Sequence, residues 1–94
     1  MVDNQKEAES LYKQMIRAAK QATKYVDYTN LDFIQGKYVV TIETNIPEGI
    51  GDLCELLIDS HKRATLVETE CFAGSFDWAS DTYIKDQVLI WFKF

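Results

Sequence analysis

The sequence predicts a single α+β domain spanning residues 1–94: a two-layer sandwich in which a four-stranded, mainly antiparallel sheet carries two helices on one face, in the order αββαββ. Three features predict it. Two stretches repeat their apolar residues at three and four, two β-rich runs meet at Gln35-Gly36, and the last run, QVLIWFKF, is apolar on both faces. A chain of 94 residues holds one core and is too short for two.

The first helix is expected from Asn4 to about Val26. Ala8, Leu11, Met15, Ala18, Ala22 and Val26 recur at helical spacing, and Lys13, Arg17, Lys20 and Lys24 fall on the opposite side, giving a basic outer stripe. Asn4 followed by Glu7 fits a capping box with Asn in the Ser or Thr position. YTNLDFIQGKYVVTIET then predicts a hairpin with strands near 29–34 and 37–44, because Gly36 supplies the positive φ of a tight turn. Alternation places Tyr38, Val40 and Ile42 on one side of the second strand and Val39, Thr41 and Glu43 on the other.

The second helix starts near Pro47, whose fixed φ suits a first turn, while Gly49 and Gly51 weaken that turn. Ile50, Leu53, Cys54, Leu57 and His61 form its inner face, and Glu48, Asp52, Glu55 and Asp59 its outer one. RATLVETECFA reads as a strand with Glu68 and Glu70 on one face, GSFDWASD as a loop carrying two aromatics, and QVLIWFKF as a central strand.

One arrangement that fits is a ferredoxin-like ring of elements opened at a different loop, with 37–44 and 87–94 central and the two more polar strands at the edges. Trp91 and Phe92 point to opposite faces of their strand, so one of them lies on the side without helices. An apolar face of that size requires a cover. A homodimer is the simplest one.

The composition is 47% hydrophobic and 27% charged with one proline, which is globular. No run approaches the roughly 18 apolar residues of a membrane span, and MVDNQKEAES lacks the order of a signal peptide. A cytoplasmic protein without a membrane partner is therefore expected. Cys54 and Cys71 have no CxxC spacing and one histidine accompanies them, so no metal, no cofactor and no disulfide framework is expected, and both thiols read as small buried hydrophobes. GxSxG, P-loop and HExxH patterns are missing, and His61 reads as a partner for the terminal carbonyls of its helix. No catalytic residue emerges, and a non-enzymatic role is expected.

The net charge of −5 and the pI near 4.7 disfavour direct binding to nucleic acid. They suit the opposite role, in which a compact acidic protein fills the basic groove of a protein that handles nucleic acid. Charge is also segregated. Residues 1–24 carry five basic and three acidic groups, whereas 25–60 carry one basic and seven acidic. Inside the acidic stretch, Glu48, Asp52, Glu55 and Asp59 form a row of one sign. A solvated helix face explains polar residues there, but an ordinary one mixes Lys with Glu. Steps of three or four residues give about 4.5–6 Å along the helix, near the spacing of phosphates on a nucleic-acid strand. A second candidate surface is the aromatic loop, where Phe76 and Trp78 flank Asp77 with Asp81 nearby, as in protein-interface anchors, unless both rings fold back onto the sheet.

Two resemblances accompany this reading. In size, charge and lack of catalytic groups the chain resembles, in general character, the DNA-mimicking and anti-restriction or anti-CRISPR proteins of phages, which implies a small acidic inhibitor of a protein partner with a basic surface. The segment TIETNIPEGIGDLCELL, fewer than twenty residues, is similar to the strand–turn–helix opening of ACT domains. It has Asn45 where that family commonly has an acidic residue, and an additional Gly51. The likeness implies a small-molecule-sensing regulatory domain in which Asn45, Gly49 and Ile50 line an amino-acid effector site.

Overall fold

Asp3, one residue before the expected cap, opens the first helix. Its carboxylate accepts a hydrogen bond from the Lys6 amide at 3.2 Å, satisfying a donor that the helix itself leaves unpaired. The computed structural model describes residues 3–84 and 86–94, the side chains of Asp77 and of residues 82–84 excepted. Its elements are α1 (Asn4–Ala22), β1 (Val26–Ile34), β2 (Lys37–Thr44), α2 (Pro47–Ser60), β3 (Thr65–Phe72), β4 (Ser75–Asp77), β5 (Thr82–Ile84) and β6 (Gln87–Lys93).

The first helix ends at Ala22, four residues short of the expected end. The Thr23 amide caps it on the Ala19 carbonyl at 3.0 Å, and the Thr23 hydroxyl donates to Asn45 Oδ1 at 2.9 Å while accepting from the Tyr25 amide at 3.1 Å. The following residues, YVDYT, are rich in β-branched and aromatic side chains, and Val26 pairs with Thr44 in the sheet. The strand therefore claims them. Gln35 and Gly36 both have positive φ, 52° and 81°, which is the two-residue hairpin turn that matches strand twist.

The main sheet has the order β1-β2-β6-β3, antiparallel throughout, so β2 and β6 are central as the two-sided apolar pattern predicts. This is the order that a ferredoxin-like ring gives when its first strand is moved to the chain end. The two ends of the described chain meet accordingly. Arg63 donates to Asn4 Oδ1 at 2.7 Å, pairs with Glu7, and lies 5.4 Å from the Phe94 ring centroid.

One face of this sheet packs on the helices. Tyr38, Val40 and Ile42 of β2 and Val88, Ile90 and Phe92 of β6 meet Leu11 and Met15 of α1 and Ile50, Cys54 and Ile58 of α2 in one core. Trp91 faces the other side, with its indole N–H donating to Glu70 Oε1 at 3.0 Å. Two readings need correction. Cys71 is exposed, because β3 is an edge strand that α2 covers only in part, whereas Cys54 is buried as expected. His61 does not serve the helix carbonyls: its Nδ1 accepts from the Arg63 and Ala64 amides at 3.2 and 3.3 Å, and its ring packs on Phe94.

GSFDWASD is not a plain loop. Ser75–Asp77 and Thr82–Ile84 pair as a second, two-stranded sheet, built from runs of three residues that fall below the usual length of a strand pattern. Among the described residues, this hairpin makes no extensive packing on another strand or helix. The molecule extends 50 Å along its longest axis with a radius of gyration of 13.8 Å, against about 12 Å for a compact chain of this length. Among the described residues, no helix is long and apolar enough to cross a membrane.

Candidate partner-binding surface

The orientation of the acidic row is set by how α2 sits on the sheet. Ile50, Cys54 and Ile58 are fully buried, and Gly51 lies so close to the sheet that a Cβ there would stand 3.2 Å from Thr69 Cγ2 and 3.4 Å from Val88 Cγ2. At about 100° per residue, Glu48, Asp52, Glu55 and Asp59 then fall within a sector of about 60° on the flank of α2 that leans over β3. Glu48, Asp52 and Asp59 are exposed and Glu55 is half-buried. Asp52, Glu55 and Asp59 border a shallow groove that Leu66 of β3 closes on the other side.

None of these four carboxylates meets a lysine or arginine among the described residues. The first turn of α2 has no side-chain cap and its last turn no basic residue. The field of the row is felt on β3. Cys71 is pushed above the ordinary thiol range, first by partial burial and then by Glu48, Asp52 and Glu55, since negative neighbours disfavour the thiolate. Three of the four expected carboxylates thus act on one point of β3.

The aromatic pair projects away from the core. Trp78 is 85% exposed, its ring centroid 4.5 Å from that of Phe76 in an edge-to-face arrangement. The rings therefore do not fold back onto the main sheet. Asp81 closes the turn of the hairpin with a φ of 54°, a left-handed conformation that Asp tolerates better than most residues. The Asp77 side chain lies outside the described residues.

The two candidate surfaces adjoin. At the root of the hairpin, the Gly74 amide donates to the Asp86 carboxylate. Asp86, Cys71 and Glu48 border an open depression of about 630 Å³ that Asn45 and Gly49 also line. Glu48 therefore stands where the hairpin leaves the sheet, and the row runs from there along α2 to Asp59, about 16 Å at 1.5 Å per residue. Two apolar side chains belong to this surface that the sequence reading does not single out, Ile46 at 39% and Leu56 at 62% exposure. The angular position of Leu56, beside the acidic sector and far from Ile50 and Cys54, is the signal that identifies it.

Of the residues that the ACT likeness implies, Asn45 and Gly49 line the depression, while Ile50 is buried in the core. The Asn45 carbonyl oxygen already accepts the Thr23 hydroxyl. Among the described residues, no group of three or more His, Cys, Asp or Glu is placed to hold a metal ion. Compared with protein-family models, curated proteins and solved structures, the chain matches none.

Proposed function

We propose that the protein is a non-enzymatic binding module, a small acidic inhibitor that occupies the basic, nucleic-acid-binding groove of another protein. The observation that carries this reading is the row Glu48, Asp52, Glu55 and Asp59, of one sign and without a cationic partner among the described residues. Such a row repels itself in the free protein. Lysines and arginines arranged for successive phosphates would relieve that repulsion and form charge-assisted hydrogen bonds to several carboxylates at once. Trp78 and Phe76, beyond the Glu48 end, supply the large apolar contact that fixes register, because a mostly exposed Trp loses much of its hydrated surface on docking.

The test uses capture from a lysate with competition. A partner should be retained at low salt, released at high salt, and displaced by duplex DNA. The folded variant Asp52→Lys/Glu55→Lys/Asp59→Lys should retain none, and Trp78→Ala should weaken retention roughly thirtyfold, the scale of an interface hot spot. A partner held equally by the charge-reversed variant, or indifferent to DNA, would sink the proposal.

A second reading, an ACT-like small-molecule sensor, is favoured by the depression that Asn45 and Gly49 share. It requires one free amino acid to raise the melting temperature in a saturable way. No shift with any of the twenty removes it.

A further inference from the structure

The helix-free face of the main sheet carries unlike charges at the two ends of its central strands. The strand register places Lys37 and Lys93 at one end of the two central strands and Glu43 at the other, with Val39, Leu89 and Trp91 between them. The corners are apolar and open to solvent: Ile34 and Val67 beside the lysines, Tyr28 and Phe72 beside Glu43, each between 38% and 50% exposed. The centre is ordered, since Trp91 is held by Glu70 beside a small hollow that Lys37 and Val67 also line, and Val39, its neighbour across the strands, is only 3% exposed although no helix covers it.

We propose that this face binds a second copy of the chain, sheet against sheet, about a two-fold axis that lies parallel to the sheet and crosses the strands. Each strand then runs antiparallel over its own copy. Lys37 lies over Glu43 of the partner subunit, Ile34 over Tyr28 of the partner subunit, and Val67 over Phe72 of the partner subunit. Leu89 and Trp91 exchange places in the middle. The other in-plane axis, along the strands, sets Lys37 against Lys93 of the partner subunit and Asp32 against Glu68 of the partner subunit. The first axis sets Glu68 over Glu70 of the partner subunit but opposes Lys37 to Glu43 of the partner subunit, whereas the second brings like charges together at both places, so the balance of charge selects the first axis. The rotation of about 30° between packed sheets moves the corners relative to one another and leaves the central pairings in place.

The size of the face sets the strength. Four strands at about 4.8 Å and seven residues at about 3.3 Å make a face of about 19 by 23 Å, or about 900 Å² for two copies before side-chain relief, below the standard size and in the range of transient interfaces. A weak, reversible dimer is therefore expected. The row on α2 lies on the opposite layer, so dimerisation leaves it accessible, and this inference stands or falls apart from the inhibitor reading.

Analytical ultracentrifugation across the micromolar range tests it, together with a charge swap on β2. Lys37 is exposed, Glu43 is half-buried, and neither has a described partner in its own chain, so the variants should stay folded. The wild type should approach twice the 10.9 kDa monomer mass at the upper concentrations. Lys37→Glu and Glu43→Lys should each weaken association roughly tenfold, because each converts two symmetric attractions into repulsions. The double swap Lys37→Glu/Glu43→Lys should return to within about threefold of the wild type, since its pairs are again opposite in charge. A wild type that stays monomeric overturns the proposal. So does a double swap that is weaker than either single change, or a Lys37→Glu variant that dimerises more tightly, as the axis along the strands requires.

Discussion

Neutralising the acidic face of α2 should make the protein more stable. Glu48 with Asp52 and Glu55 with Asp59 are four residues apart, and Asp52 with Glu55 three apart, so the row holds three like-charge neighbours on one helix face. Each such pair costs about 0.2–0.5 kcal/mol. Asp59 also sits in the last turn, at the negative end of the helix dipole, where no basic residue offsets it and a carboxylate costs about 0.3–1 kcal/mol. Glu48 lies at the favourable end and is kept. The variant Asp52→Asn/Glu55→Gln/Asp59→Asn removes all three pairs and the terminal conflict, so it should gain about 1–2.5 kcal/mol, or about 4–8 °C in melting temperature for each kcal/mol. Thermal and urea unfolding at low ionic strength would measure it. Repeating the melts in high salt should shrink the gain, because exposed charges are screened. No gain at low salt, or a gain that salt leaves intact, would show that the carboxylates are held by favourable contacts, and the self-repulsion on which the inhibitor reading rests would be gone.

Two further outcomes test the geometry around the row. Cys71 should react slowly with iodoacetamide at neutral pH, because the thiolate is the reactive form and its neighbours disfavour it; raising the pH, adding salt or introducing Glu48→Gln/Asp52→Asn/Glu55→Gln should each speed labelling. Cys54, pushed up to about 12 by burial and then by Glu55, should stay silent until the protein unfolds. A Cys71 rate indifferent to the triple change would place the carboxylates elsewhere. Gly49→Ala should stabilise by about 0.5–1 kcal/mol through helix propensity, since the nearest atom to the new Cβ is Ile46 Cδ1 at 3.9 Å, whereas Gly51→Ala meets Thr69 and Val88 and should gain less. Gly51→Leu should lose about 1–3 kcal/mol by overpacking, and equal gains for the two alanines in urea melts would refute the close approach.

The centre of the fold is legible in the sequence because two signals agree there. The two-sided apolarity of QVLIWFKF asks for a central strand, the ferredoxin-like ring of elements puts KYVVTIET beside it, and the Gln35-Gly36 turn pairs KYVVTIET with β1. Boundaries are less legible where two structures compete for the same residues. The helical spacing from Ala8 to Ala22 extends formally to Val26, but YVDYT gains more from pairing with β2 than from one more turn. Gly51 is ambiguous for a related reason: helix propensity marks it as a weak point, and only the distance between α2 and the sheet shows it as the point of closest approach.

At the candidate site, spacing alone places the four carboxylates on one face of α2. It does not say which neighbour that face leans toward. That direction follows from the side of α2 that carries Gly51, because the helix rolls toward the residue without a side chain and brings Glu48, Asp52 and Glu55 over β3. The same geometry explains Cys71, whose apolar character suggests burial but whose position on the edge strand leaves it in solvent beneath the row. The hairpin at 75–84 is harder to read, since three-residue strands carry little periodicity. The pairing of its two short strands carries Trp78 out at the turn, away from the core. The aromatic pair and the acidic row lie on either side of the hairpin root, where Gly74 bonds Asp86 beside Glu48, so on the proposed reading a partner that covers both must span that root.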